Sequence, residues 1–150
     1  MRNALLVVLT SMTPVSELRG GIPLGIALGL DSPLVFLLAV TANLAVFWPG
    51  RLALVWFYRT VFRRIPYFDE YLVRVRRRGE PKVRKYGFLG LLFFVALPLP
   101  ITGAYTGTVL SWLLAMGWMR SFIAISIGVV CAGIIVMLAT MGVVSIATLR

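Results

Sequence analysis

The stretch Ser16-Glu17-Leu18-Arg19-Gly20-Gly21-Ile22-Pro23 lies at the centre of an otherwise mostly apolar segment, residues 4–30. An apolar segment of that length is typical of a membrane span, but this one carries an acid, a base, two glycines and a proline. A charge at the bilayer centre costs about 2.5–3.5 kcal/mol, and the glycines and proline weaken the helix that would satisfy the backbone there. The stretch therefore indicates a site within a membrane protein.

The composition supports the same class. The chain is 60% hydrophobic and 13% charged, with a mean hydropathy of +0.95, as expected of a polytopic membrane protein in which 150 residues form one domain. It has no histidine, and its single cysteine, Cys131, lies in an apolar run. We therefore expect no metal and no cofactor. No nucleophile–base pair supports hydrolysis, so we also expect no enzyme.

Basic residues are concentrated between the two halves of the chain. The segment 59–86 contains Arg59, Arg63, Arg64, Arg74, Arg76, Arg77, Arg78, Lys82, Arg84 and Lys85, ten of the fifteen basic residues. Because this segment separates apolar runs, the positive-inside rule predicts a cytoplasmic connector rather than a nucleic-acid-binding surface. An apolar stripe at helical spacing predicts that part of the connector is an amphipathic helix on the membrane surface.

The two halves repeat one order of segments. The predicted bounds are a hairpin at 3–30 and a span at 33–58 in the first repeat, then a hairpin at 87–117 and a span at 120–149 in the second. Each hairpin is broken, at 17–23 and at Pro98-Leu99-Pro100, into pieces too short to cross a bilayer. Broken segments in corresponding positions are typical of inverted repeats with a binding site at the repeat interface.

We therefore predict an all-α integral membrane protein with two re-entrant helical hairpins, each followed by a transmembrane helix. The hairpins enter from opposite sides and meet near the midplane. The alternative is that each broken segment is a kinked complete span, which gives four ordinary helices. In the first span, Pro49-Gly50 predicts a kink. Asn43 predicts a packing hydrogen bond, with a ligand role as the alternative, and Arg51 predicts a side chain that reaches the inner surface, with a polar path as the alternative.

The motifs in both breaks resemble the small multidrug export protein family, which is allied to the DedA/VTT (SNARE-associated-like) superfamily. The resemblance rests on Glu17-Leu18-Arg19-Gly20-Gly21-Ile22-Pro23-Leu24-Gly25 and on Pro98-Leu99-Pro100-Ile101-Thr102-Gly103-Ala104-Tyr105-Thr106-Gly107, and it covers nearly the whole chain. It implies two opposed re-entrant hairpins. It also implies movement of lipids between leaflets, polyprenyl-phosphate carriers included, in dependence on the proton gradient.

The chemistry of the two breaks suits an anion. In an unwound segment, which Gly20-Gly21 favours, Glu17 and Arg19 face the same side, and Pro23 suits the first turn of the next half-helix. Thr102 is the predicted N-cap of the matching half-helix. Two half-helix N-termini with Arg19 would bind a phosphate or carboxylate. The predicted site consists of Glu17, Arg19, Gly20, Gly21, Pro23, Pro98, Pro100, Thr102, Gly103, Tyr105 and Thr106, with Arg84 and Lys85 recruiting anionic headgroups.

Structural alternatives remain for these residues. Glu17 and Arg19 can form a neutralised pair that locks the hairpin, and the hydroxyl groups of the second break can serve as interhelical hydrogen bonds. Among functions, the first hypothesis is a transporter of an anionic lipid of the polyprenyl-phosphate type, with Glu17 coupling protonation to the cycle. The alternative is a proton-coupled exporter of small cationic amphiphilic drugs. We expect a homodimer, since a second copy would help to shield a polar path from lipid.

Overall fold

A computed structural model describes residues 2–60, 73, 86–98 and 103–148, with side chains up to residue 146. Every described element is an α-helix, which confirms the predicted all-α class. Most of the basic connector, 61–72 and 74–85, lies outside the described residues, and so do Arg84, Lys85, Pro100 and Thr102 of the predicted site.

The first two helices form an antiparallel hairpin. Helix α1 spans Arg2–Ser11 and helix α2 spans Glu17–Ala27. The Asn3 side-chain amide lies 3.5 Å from the carbonyl oxygen of Leu28 at the open end. At the closed end, the hydroxyl of Ser16 donates to the carbonyl of Thr10 over 2.9 Å. Each helix is about 15 Å long, roughly half the hydrocarbon thickness of a bilayer.

The break in this hairpin lies at residues 12–16, and the prediction of an unwound segment at 17–23 is wrong. Pro14 ends α1 because it lacks an N–H and disfavours helical dihedrals at Thr13. Gly20 and Gly21 are helical. Although glycine costs a helix about 1 kcal/mol relative to alanine, these two let α1 approach closely, and an added Cβ on Gly21 would collide with the Ser11 hydroxyl. Packing between the helices therefore outweighs the intrinsic preference.

A long helical segment follows the hairpin. Helix α3 spans Ser32–Ala45 and helix α4 spans Phe47–Thr60, and they are separated at Val46. Pro49 explains the interruption, because it cannot donate to the carbonyl of Ala45 and its ring crowds that oxygen. The interruption lies just before Pro49-Gly50, where a kink was predicted. Asn43 is buried in α3 and donates to the carbonyl of Ser11 over 3.3 Å, which confirms the predicted packing hydrogen bond.

The second half contains three described helices. Helix α5 spans Tyr86–Ala96, α6 spans Ala104–Leu113 and α7 spans Trp118–Thr148. Small residues bring them together: an added Cβ on Gly107 would lie 2.7 Å from Val95 Cγ2, and one on Gly128 would lie 2.8 Å from Val95 Cβ. Helix α5 thus packs against both α6 and α7.

The hydrophobic core joins both halves. Helices α2 and α3 pack against α7, while α6 packs against α4 and α7. The largest fully buried members of the core are Val7, Ile22, Val35, Phe47, Val95, Ile125 and Val129. Many large outward-facing side chains are also apolar, as expected of a surface in contact with lipid. Within the described residues, the segments Ser32–Thr60 and Trp118–Ile146 are long and apolar enough to cross a membrane.

Candidate functional site

The closed end of the first hairpin meets the break between α5 and α6. The Tyr105 hydroxyl donates to the carbonyl of Met12. The Arg19 guanidinium lies 3.4 Å from the carbonyl oxygen of Leu97, near the end of α5. The structure therefore brings residues of both sequence motifs together, although they are far apart in the chain.

Glu17 lies at the centre of this junction. Its side chain is 7% exposed and reaches the N-terminus of α6, where the Tyr105 backbone N–H lies 3.4 Å from Glu17 Oε1. Gly103, the N-cap residue of α6, is so close that an added Cβ would collide with this carboxylate. Glu17 also has a left-handed backbone, with φ of 48°, a strained conformation that residues other than glycine rarely adopt.

Two contacts favour a negative charge on Glu17, whereas its burial favours the neutral carboxyl group. The first N–H groups of a helix have no intrahelical partners and carry a partial positive charge. A carboxylate there stabilises a protein by about 0.3–1 kcal/mol at an exposed site, and by up to about 2 kcal/mol in partly buried geometries. The Arg19 guanidinium also interacts electrostatically with Glu17. Glu17 thus holds the N-terminus of α6 as long as it is ionised.

The N-terminus of α6 is closed on its other side by Thr106. The Gly103 N–H donates to Thr106 Oγ1 over 3.0 Å, which completes the first turn. The N-cap residue is Gly103 rather than the predicted Thr102, which lies outside the described residues. The surroundings of Glu17, Arg19 and Gly103 are packed too tightly to hold a small molecule.

A groove between α4 and α6 has room for one. Its volume is about 360 Å³, within the usual range for ligand pockets. It is lined by Val46, Gly50, Ala53, Leu54, Trp56, Phe57, Tyr105, Thr108 and Val109. Trp56 is 66% exposed and Phe57 is 46% exposed, so the groove can be entered from the outer face of the helices. Tyr105 connects the Glu17 contact with the groove, because its backbone N–H faces Glu17 and the residue also lines the groove.

Residues 17–135 match the sequence model of the small multi-drug export protein family. The chain belongs to that family. The match begins at Glu17 and confirms the resemblance to this family that was drawn from the two motifs. The family name indicates export across a membrane, which agrees with the two helices long enough to cross one among the described residues. No curated protein and no solved structure matches the chain.

The other glycines and prolines among the predicted site residues that the structure describes serve helix packing in this family member. Gly20 and Gly21 face α1, and Pro23 lies inside α2 rather than at its first turn. Pro98 is partly buried just after α5. These residues shape the backbone around Glu17 and Arg19, and none contributes a charged or hydroxyl group.

Arg51 was not among the predicted site residues, and the prediction that its side chain reaches the inner surface is wrong. Arg51 is 4% exposed. Its guanidinium donates to Ser111 Oγ over 2.5 Å and to the carbonyl of Met116 over 2.6 Å. The guanidinium also lies 5.5 Å from the centroid of the Trp118 ring. These contacts join residues 60 and 65 positions apart, so no pattern within one segment of the sequence indicates them.

Proposed function

We propose that this member of the small multi-drug export protein family is a proton-coupled exporter of small amphiphilic cations. The observation that carries the proposal is the Glu17 carboxylate at the N-terminus of α6, where Tyr105 joins it to the apolar groove. The family name, which refers to multi-drug export, supports a drug-like cargo.

The groove supports an amphiphilic cation as the cargo. Its walls are apolar and include Trp56, Phe57 and Tyr105, whose aromatic rings can attract cations. The exposed positions of Trp56 and Phe57 let a lipophilic molecule enter from the hydrocarbon phase. A groove that binds its cargo through apolar and aromatic contacts, with few hydrogen bonds, can accept molecules of different structure. A multidrug exporter requires this.

Glu17 supplies the coupling. When the carboxylate is ionised, it holds α6 through the helix N-terminus and adds a negative charge behind Tyr105, both of which favour a cation in the groove. Protonation removes that charge and weakens the contact with α6, one wall of the groove. By linkage, the cation and the proton then oppose each other's binding, and a proton gradient can drive export.

The proposed arrangement of the helices in the membrane is the one predicted from the sequence. We propose that α1–α2 and α5–α6 are re-entrant hairpins that enter from opposite sides as an inverted repeat, that the basic connector 59–86 is cytoplasmic, and that the protein is a homodimer. The half-membrane length of α1 and α2 supports re-entry. The packing between the two halves supports a repeat. Helix α2 of the first half packs on α7 of the second half, and α6 of the second half packs on α4 of the first.

An anionic lipid of the polyprenyl-phosphate type is the second candidate cargo. The partly buried Arg19 favours it, because a guanidinium binds phosphate oxygens well. The N-terminus of α6 was predicted as a further phosphate ligand. In the structure the Glu17 carboxylate lies there, and its negative charge repels an anion. The lipid hypothesis also depends on kinship with the DedA/VTT superfamily, for which the motif resemblance is the support.

Transport by purified protein in proteoliposomes tests the proposal. Tetraphenylphosphonium movement is measured with and without a pH gradient, for the wild type, Glu17→Gln and Asp31→Asn. Asp31 is an exposed carboxylate outside the site, so its amide variant is the matched control. We expect gradient-driven transport in the wild type and Asp31→Asn, and none in Glu17→Gln. Leaflet exchange of a polyprenyl phosphate that is lost in Arg19→Ala, without cation transport, would favour the lipid instead.

A further inference from the structure

Helix α6 is held at both ends by charged side chains from the first half of the chain. Glu17 lies at its N-terminus, and Arg51 binds Ser111 and the Met116 carbonyl at its C-terminal end. Both charges complement the helix dipole, which is positive at the N-terminus and negative at the C-terminus. Nothing in the export proposal uses Arg51, although a buried guanidinium is costly unless it is paired and hydrogen-bonded.

The contacts of Arg51 continue into the groove wall. The Ser111 hydroxyl that accepts from Arg51 donates in turn to the carbonyl of Thr108 over 2.9 Å. Thr108 lines the groove, and an added Cβ on Gly50, one residue before Arg51, would lie 3.8 Å from Thr108 Cγ2. Arg51 therefore fixes α6 to α4 on the side of the groove that lies away from Glu17.

The turn after α6 depends on the same side chain. Ala115 has a φ of 53°, a left-handed conformation that costs an alanine about 1–2 kcal/mol. The Met116 N–H donates to the carbonyl of Ser111 over 2.9 Å, which closes the turn, and Arg51 binds both of these residues. The guanidinium thus holds a strained turn in place.

We propose that Arg51 is a positioning residue that serves as the fixed end of α6 during export. Protonation of Glu17 weakens the attachment of the α6 N-terminus, where the Tyr105–Met12 hydrogen bond remains. Arg51 keeps the C-terminal end of α6 against α4, so the helix tilts and the groove changes shape. This role rests on the proposed function, since it assigns the pivot of the same site.

Cross-linking between α4 and α6 tests the role without requiring transport. The reporter is Gly50→Cys with Thr108→Cys in a Cys131→Ala background, and its disulfide formation is followed at one pH. The rate is compared with and without Glu17→Gln, in the presence of Arg51, Arg51→Met or Arg51→Lys. Arg59→Met is the matched control, because Arg59 is exposed at the end of the same helix.

We expect Glu17→Gln to change the cross-linking rate when Arg51 is present. Arg51→Met should lower the rate by about tenfold and abolish the dependence on residue 17, as expected of coupled groups. Arg51→Lys keeps the charge but loses the two-pronged contact, so it should restore part of the rate; it also serves as the test if Arg51→Met does not fold. Arg59→Met should behave as the wild type.

Transport separates this inference from the export proposal. Tetraphenylphosphonium should still bind Arg51→Met, with turnover reduced far more than affinity. Cross-linking that depends on both Glu17 and Arg51 in a protein that transports no cation would support the positioning role and contradict export. A Glu17→Gln effect on cross-linking that persists unchanged in Arg51→Met and Arg51→Lys would overturn the role of Arg51.

Discussion

Gly103 and the Glu17 carboxylate lie so close together that a side chain at position 103 would push the carboxylate away from α6. Gly103→Ala should therefore lower the free energy of unfolding by up to about 2 kcal/mol, the value of a carboxylate at a partly buried helix N-terminus. Thermal unfolding in detergent measures the change. Gly90→Ala is the control, since an added Cβ there meets nothing within 4 Å.

The same clash makes a second comparison possible at this position. In a Glu17→Ala background the carboxylate is absent, so Gly103→Ala should cost much less than in the wild type. Equal costs in both backgrounds would mean that the Glu17 carboxylate does not occupy the N-terminus of α6.

Ala115 carries the other strained conformation that matters for α6. Ala115→Gly should raise the free energy of unfolding by about 1 kcal/mol, because glycine adopts left-handed dihedrals without steric cost. Ala139→Gly, at an exposed position inside α7, should lower it by about 1 kcal/mol. Thermal unfolding of the two variants should therefore shift in opposite directions, and shifts of the same sign would contradict the strained turn.

At the scale of elements, the first hairpin depends on glycines that face neighbouring helices. An added Cβ on Gly25 would lie 2.6 Å from Val35 Cγ1 of α3. Gly25→Ala should therefore destabilise the protein by about 1–3 kcal/mol. Gly142→Ala, where an added Cβ meets nothing within 4 Å, should be neutral or stabilising by up to about 1 kcal/mol. Unfolding temperatures that do not distinguish the two would argue against close packing of α2 on α3.

Sequence patterns predicted the elements better than their breaks. Apolar runs and the proline at position 49 determine local structure, so the all-α class and the interruption before Pro49 could be inferred from them. The single asparagine in an apolar span indicated a packing hydrogen bond, but not that its partner is Ser11. The break in the first hairpin could not, because close packing on α1 stabilises Gly20 and Gly21 in a helix. The contact of Glu17 with α6 and the burial of Arg51 both join residues that are distant in the chain. A sequence pattern within one segment therefore cannot indicate either of these contacts.

At the scale of the whole molecule, the proposed topology is distinguishable from its alternative by the position of the termini. With the basic connector in the cytoplasm, re-entrant hairpins place both termini outside, whereas four kinked complete spans place both inside. We expect Arg2→Cys, in a Cys131→Ala background, to react with a membrane-impermeant maleimide from the outside of right-side-out vesicles. Reaction only after the vesicles are opened would favour four spans.

The linkage between proton and cation is the central claim, and proton release tests it most directly. Tetraphenylphosphonium is added to purified protein in weakly buffered detergent solution over a range of acidic to neutral pH, and the released protons are counted. The account predicts that the wild type and Asp31→Asn release protons on binding the cation, most strongly where Glu17 is protonated beforehand, and that Glu17→Gln binds without release. Binding without release by the wild type at every pH, or equal release by Glu17→Gln, would contradict it.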